Sequence, residues 1–475
     1  MTDSQTFHDT FTDLECDHSL FDIRADGVPI WERIRFPVYR AIQTECLDLG
    51  TAQDSIEFNV GNYLRGLNLW LRNSISHNPY LAGEHDIFVW GHPRRKQLTG
   101  GQWWDIYCDP IYEACDLNVA HFEPAHQNRH LQPARTEDIR YLDLIEYTGT
   151  FLRKTGLVAY TLPERVEEAF HRVEASFSNR LGVEINLVSR AEYALSKRRS
   201  TKWLYERLID RVDPRLAVVV VSYGKETFIE VCKENQIPVA ELQHGVIYPQ
   251  HTAYAYRGNR TKEMFPDYLL TFGDYWNDSV EFPIPDHRLI SVGYPYLEQS
   301  VDKYDSIEPT PQLVFISQGV IGKYLSKFAM ECNQHPGIEY DIVYKLHPGE
   351  YGRWRDAYPW LRNADFEIID SADKSLYQLF AESRAQIGVG STAMYEGLAF
   401  GLETFVYDCP GPKVLQPLID EGPATMVSSA DGLASSLGTR EGSFEREHYF
   451  KPNAATRICD ELKSLKRTNI YHGSS

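Results

Sequence analysis

Short apolar runs alternate along the chain with longer stretches in which apolar residues recur every three or four positions, the pattern of strands and helices taken in turn. The clearest unit lies mid-chain. Residues 216–222 are continuously apolar or small, as a parallel strand covered on both faces requires. Gly224 opens a helix over 225–235, and 238–242 is the next strand, ending in Gln243-His244-Gly245. Strands at 268–272 and 289–292 come after it, each closed by a glycine. Upstream, 85–90 reads as a buried strand, with 105–108 and 117–121 as shorter ones. Helical periodicity marks 32–46, 141–153, 164–181 and 191–212. Alternation over 20–24 and 28–31 around Ala25-Asp26-Gly27 predicts a hairpin.

A proline-bearing stretch, 302–311, reads as a linker, after which a second series begins. Strands are expected at 312–317, 341–346, 366–369, 385–389 and 403–407, with helices at 322–333, 375–383, 391–400 and, finally, 454–465. Strands alternating with helices of about a dozen residues predict doubly wound parallel sheets. The 475 residues exceed one ordinary core and suit two domains. The expected class is α/β, with two Rossmann-like domains facing across a cleft. Residues 1–300 form the N-terminal, acceptor-side domain, with a terminal helix within 444–475 packing back on it, and 301–443 form the C-terminal, donor-side domain.

Composition narrows the function classes. A formal net charge of −19 repels a nucleic-acid backbone, which argues against general DNA or RNA binding. No apolar run approaches the ~18 residues needed to span a bilayer, and the polar, acidic start lacks a secretory signal. The eight cysteines are scattered without a CxxC pair, so they read as reduced, mostly interior thiols rather than a zinc knuckle or disulfide framework. The expected address is the cytoplasm, with peripheral association at the inner face of a membrane left open.

Ligands of such sheets bind beyond the C-terminal strand ends, and the chemically suggestive residues fall there. His347-Pro348 follows the strand at 341–346, and Gly390-Ser391-Thr392 follows the strand at 385–389 and starts a helix. A helix N-terminus offers free N–H groups and a positive dipole end, and Gly390 lets a phosphate come close to the backbone. Gln318-Gly319 ends another strand, with Lys323 early in the next helix as a further phosphate partner. No acidic DxD pair stands at a strand end, so no metal ligand is expected, and His, Lys and helix dipoles can stabilise a leaving phosphate instead. On the N-terminal side His244 has the right chemistry to deprotonate an acceptor hydroxyl. Arg94, Arg95 and Lys96, with Trp104 nearby, are candidates for holding an anionic acceptor.

Lys345-Leu346-His347-Pro348, followed by Gly390-Ser391-Thr392-Ala393-Met394-Tyr395-Glu396, resembles the C-terminal half of capsular and cell-wall polymer transferases. These include the bacterial polysialyltransferases and the CDP-glycerol glycerophosphotransferases. The resemblance spans residues 238–407. It implies a GT-B glycosyltransferase of polysaccharide or capsule biosynthesis that uses a nucleotide-activated donor of CMP/CDP or UDP type, a glycan or lipid-linked acceptor, and no cofactor. It also implies that His347, Ser391 and Thr392 bind the donor's phosphates and that Glu396 faces the nucleoside. Gln243-His244-Gly245 resembles the histidine–glycine pair that supplies the base in glycerophosphotransferases. The polysialyltransferase base motif, two acids before a glycine, is matched here only by Ala25-Asp26-Gly27, which leaves Asp26 as a second base candidate. A sugar-nucleotide epimerase with two Rossmann-like domains, a CDP-polyol phosphotransferase and a non-catalytic glycan binder remain as alternatives.

Overall fold

The apolar runs sort into two parallel sheets. The computed structural model describes residues 4–47, 60–98, 100–258, 260–409, 414–439 and 445–468. The first sheet contains β1 (Ile87–Trp90), β2 (Val119–Glu123), β3 (Arg140–Tyr141), β4 (Leu216–Val219), β5 (Val239–Leu242), β6 (Tyr268–Thr271) and β7 (Leu289–Ser291), in the order β7-β6-β5-β4-β1-β2-β3. The second contains β8 (Thr310–Ile316), β9 (Asp341–Lys345), β10 (Glu367–Ile369), β11 (Ser383–Gly388), β12 (Glu403–Tyr407) and β13 (Ala424–Val427), in the order β10-β9-β8-β11-β12-β13. Every pairing within them is parallel. All four residues of β1, β4, β5 and β6 are buried, which explains why β1 and β4 read as unbroken apolar runs.

Each sheet has one place where the strand order reverses: between β4 and β1 in the first, and between β8 and β11 in the second. A crevice opens at such a point because the connecting helices leave to opposite faces. The two domains meet in one apolar cluster to which Ile106, Tyr254 and Trp276 contribute from the first and Val314, Met394, Tyr395 and Leu402 from the second. The hydroxyls of Tyr275 and Tyr395 meet across it at 3.0 Å. This is the GT-B layout of two Rossmann-like domains.

Several local expectations change. Residues 105–108, read as a strand, form a turn into the helix Asp109–Ala114, because the Asp105 carboxylate accepts from the N–H groups of Tyr107 and Cys108. The 302–311 linker begins inside the helix Pro295–Tyr304. The polar N-terminus carries Phe7, Phe11 and Leu14 at helical spacing. It forms the helix Ser4–Asp17, which packs with Trp31 and Phe177 in a separate core. There Glu15, nearly fully buried, accepts from Trp31 Nε1 and Arg35 Nε, both at 2.6 Å.

The chain's last described segment returns to the first domain. Lys451 N donates to Phe272 O at 2.8 Å, and a Cβ on Gly293 (φ +98°) would strike the backbone there, so glycine is needed at the crossing. Of the expected C-terminal segment 444–475, residues 445–468 are described, and the helix Ala454–Leu465 lies against Asp109–Ala114. This packing corrects the reading of the cysteines. Cys115 and Cys459, 344 positions apart, are joined in a disulfide, and no local sequence spacing could signal that. Among the described residues no helix is long and apolar enough to cross a membrane.

Candidate active site

The second domain supplies a rim of strand-end loops. After β8, Gln318 Nε2 donates to Gly390 O at 2.9 Å, which ties together the two loops flanking the switch point. Ser391 caps the helix Thr392–Ala399, its Oγ accepting from Ala393 N. A Cβ on Gly390 would lie 3.2 Å from Val414, so the loop has little room for a side chain. His347, exposed after β9, accepts at Nδ1 from Gly349 N at 3.1 Å, which places the ring proton on Nε2 as a donor. Beneath it the buried Glu350 receives His347 N (2.8 Å), Ser317 Oγ (3.1 Å) and Tyr358 OH (2.7 Å), so the His347-Pro348 turn is fixed from below. Pro348 starts the short turn, and Lys323 stands exposed in the first turn of Gly322–Gln334. Arg353, which lies outside the motifs, donates from Nε to Gly349 O at 3.1 Å. Its Nη2 would be 2.8 Å from a Cβ on Gly319. A guanidinium thus leans on the bare backbone of the β8 loop.

The first domain supplies the opposing rim. His244, after β5, has its backbone carbonyl held by Tyr107 OH at 2.8 Å, and its Nε2 lies 3.2 Å from Tyr223 OH. His92, after β1, stacks on it with ring centroids 6.2 Å apart. Tyr223 follows β4, so the loops of β1, β4 and β5 converge at the switch point. Burial pushes the His244 imidazole well below its ordinary pKa, and the positive potential of His92, His251, Lys225 and Arg94 adds to the effect. Burial likewise brings His92 and His251 down to about 4, and Lys225 to about 7. The Lys225 ammonium donates to Val221 O and lies 5.2 Å above the Trp90 ring, with buried Glu241 as the main opposing charge.

The two rims touch. Val246 N, two residues after His244, donates to Thr392 Oγ1 at 3.1 Å, and a Cβ on Gly245 would be 3.2 Å from the same oxygen. His244 therefore sits beside the capped helix end of the other domain.

The basic run splits. Arg95 is 5% exposed, with its guanidinium held by Glu123 (2.7 Å), Asp109 (3.6 Å) and Thr136 (2.9 Å). It is a scaffold residue, which corrects its assignment to an acceptor. Arg94 is exposed at the rim. Lys96, exposed as a residue, pairs with Trp104 in a two-stranded ribbon and carries its ammonium over the rings of Tyr296 (4.9 Å) and Tyr377 (5.3 Å). There it faces Glu396, whose pKa is raised by burial and held back by Lys96. Glu396 thus feels the charge of a lysine of the other domain among tyrosines, which couples an expected acceptor residue to an expected donor residue. Half-buried Trp104 packs on the shared core, with Arg135 5.5 Å above its ring. Asp26 does not join this group. It occupies an exposed hairpin turn (φ 50°), its carboxylate accepting from Tyr160 OH at 2.8 Å, which removes the support for Asp26 as base.

Tyr107, Tyr223, His92, Lys225, Glu350 and Arg353 were not expected from the sequence. Tyr223 and His92 had a usable signal, since both follow strands that end at the switch point. Glu350 and Arg353 had a weaker one, an acid and a cation shortly after His347-Pro348.

No protein-family model matches the chain, and no curated protein matches it. Solved structures similar to it include the UDP-GlcNAc 2-epimerase from Neisseria meningitidis bound to UDP-GlcNAc, at 12% identity over 80% of this chain and 99% of that one, with a TM-score of 0.48. Another is the UDP-GlcNAc 2-epimerase from Methanocaldococcus jannaschii, at 11% identity, 80% and 99% coverage and a TM-score of 0.46. The wall teichoic acid polymerase TagF is similar at 12% identity, 87% and 93% coverage and a TM-score of 0.40. Likeness this distant does not decide what the present chain does, and its architecture rests on the strand order of its own two sheets.

Proposed function

We propose that this chain is a glycosyltransferase that moves a sugar, or a sugar-like group, from a nucleotide-activated donor to a glycan or lipid-linked acceptor. The observation that carries the reading is the 3.1 Å contact from Val246 N to Thr392 Oγ1, which brings a neutral histidine of one domain beside the helix N-terminus of the other. The donor's phosphates would lie on the Thr392–Ala399 N-terminus, with Ser391, Gln318, Gly319, His347 and Arg353 around them and Lys323 at the outer edge. His244 would take the acceptor's hydroxyl proton. The acceptor oxygen would then bond to the transferred group as its bond to the phosphate oxygen breaks, and the negative charge left on the phosphate would be met by His347, Arg353 and the helix dipole.

The depressed pKa of His244 keeps the imidazole in its proton-accepting form at neutral pH and makes it a weaker base, so proton transfer would have to run together with bond formation to the acceptor oxygen. Thermal melts with CMP, CDP, UDP and GDP test it, since a nucleotide bound only by the native state raises the melting temperature. One nucleotide should stabilise wild type and lose that effect in His347→Ala. No shift with any of the four would remove the donor assignment. Turnover of a nucleotide sugar without acceptor, with solvent deuterium entering the sugar ring, would replace transfer with epimerisation.

A further inference from the structure

Directly beneath the histidine rim the fold buries three different metal-ligating side chains that the proposed transfer does not use. Asp105 and Cys108 lie on the turn entering Asp109–Ala114, three positions apart, and His121 lies on β2 opposite Val89 of β1. They are 1%, 1% and 3% exposed. One ligand atom from each lies within 4.8 Å of the other two. Gly91 forms one wall. A Cβ there would collide with the His121 ring and lie 2.8 Å from Asp105 Oδ2, so only a glycine backbone leaves this space open.

The histidine supplies a second, independent observation. His121 Nδ1 is paired with Tyr112 OH at 2.8 Å, while its Nε2 is buried without a hydrogen-bond partner and lies 4.0 Å from Asp105 Oδ2. In the tautomer whose Nδ1–H donates to Tyr112, Nε2 presents a bare lone pair to the Asp105 carboxylate, and in the other its N–H points at an oxygen too far away to accept it well. In the first tautomer two acceptors face each other in the interior with no hydrogen between them. A cation between them turns that opposition into two bonds.

We propose that Asp105, Cys108 and His121 form a structural site for a divalent cation of the Zn2+ class, which fastens the loop carrying His92 to the sheet. The donor set fits such an ion: carboxylate and thiolate bring two negative charges, the imidazole is neutral, and mixed sulfur, nitrogen and oxygen ligation suits a borderline-soft metal. Metal–ligand bonds of about 2.0–2.3 Å put tetrahedral ligands roughly 3.3–3.6 Å apart, so binding draws the three side chains together by about 1.5 Å or less. The Cys108 thiol proton leaves to solvent as the sulfur–metal bond forms. Tyr112 holds the far nitrogen of His121, the usual outer support of a ligating imidazole. The link to the rim is short. His92 N donates to Asp105 Oδ2 at 3.2 Å, and the His92 ring stacks on His244.

The test needs no nucleotide and is independent of the transferase reading. The full chain, with its disulfide intact, is stripped of metal and titrated with Co2+ and with Zn2+. Wild type should take up about one ion per chain, show a thiolate-to-cobalt charge-transfer band in the near ultraviolet, and melt at a higher temperature with Zn2+. The near-isosteric Cys108→Ser should lose the band, and Cys232→Ser, which alters a buried cysteine outside the cluster, should keep it. Wild type with neither a cobalt band nor a Zn2+-dependent melting shift would overturn the site, whatever the variants do. A band that survives in a folded Cys108→Ser would overturn it equally.

Discussion

The two rims of the cleft are built by the same topology and tuned in opposite ways. Both gather loops at a switch point of a parallel sheet. The second domain's rim leaves His347 exposed and offers a capped helix end, a bare glycine loop and a guanidinium. It is a positive surface open to an anion. The first domain's rim sets His92, His244, His251 and Lys225 half-buried beside one another, and each loses its proton more readily than usual. Desolvation and like charge act in the same direction here. The fold therefore supplies position, and local burial decides whether a basic side chain keeps its proton or loses it.

The largest expected effect probes the first rim. His244→Ala should lower the chemical rate about 10²–10⁴-fold while leaving nucleotide affinity unchanged, because the proposed division of labour puts the nucleotide on the second domain. Single-turnover kinetics and a binding titration read the two quantities separately. Recovery of activity by His244→Gln would take the histidine out of the proton transfer, since glutamine cannot accept the proton.

Next come the two neighbours Arg95 and Lys96. Arg95→Met leaves Glu123 and Asp109 buried without their cation and should cost about 3–5 kcal/mol of stability, measured by urea unfolding. Lys96→Met should cost less stability, because the raised pKa of Glu396 lets that carboxyl take up a proton once the lysine is gone, and should alter steady-state kinetics as well. Equal effects on stability would erase the distinction between scaffold and rim.

The second rim is probed by His347→Ala. Losing a charge-assisted contact to phosphate should weaken nucleotide binding by roughly 1.5–3 kcal/mol. The melting temperature of the free protein should hold, because the residue is exposed. Wild-type nucleotide affinity in this variant would break the comparison on the donor side.

The smallest effects concern pH and added metal. A base with a lowered pKa stays deprotonated as pH falls through the ordinary histidine range near ~6.5. The acidic limb of kcat/KM should therefore lie below that range, and Lys225→Met, which removes one of the opposing cations, should move it upward. A limb at the ordinary histidine value would show that the rim is not desolvated in solution. Adding Mg2+ or Mn2+ should change turnover less than about twofold, since Glu350, the carboxylate beneath the His347-Pro348 turn, is committed to Ser317, Tyr358 and the His347 backbone. Strong activation by either ion would assign acidic ligands to the donor side.

Much of this was legible in the sequence. A parallel strand buried on both faces is rich in apolar residues, so β4 announces itself, and the apolar stretches within β5, β8, β9 and β11 mark them with polar residues interspersed. The residues just past their ends, His244, Gln318, His347 and Ser391, are placed at a ligand edge by topology alone. The sequence could not say which neighbours in the chain share a fate. Arg95 and Lys96 are adjacent, yet one is enclosed by Glu123 and Asp109 while the other reaches over Tyr377 toward Glu396 of the second domain. The pairing of Cys115 with Cys459, the opposition of His121 and Asp105, and the contact of Val246 with Thr392 all join segments distant in the chain. Periodicity reports which face of an element is buried, and a strand end reports where a loop lies. Which side chains then meet, how far water is excluded from them and what charge they keep depend on the packing of whole domains, and only the tertiary structure decided that.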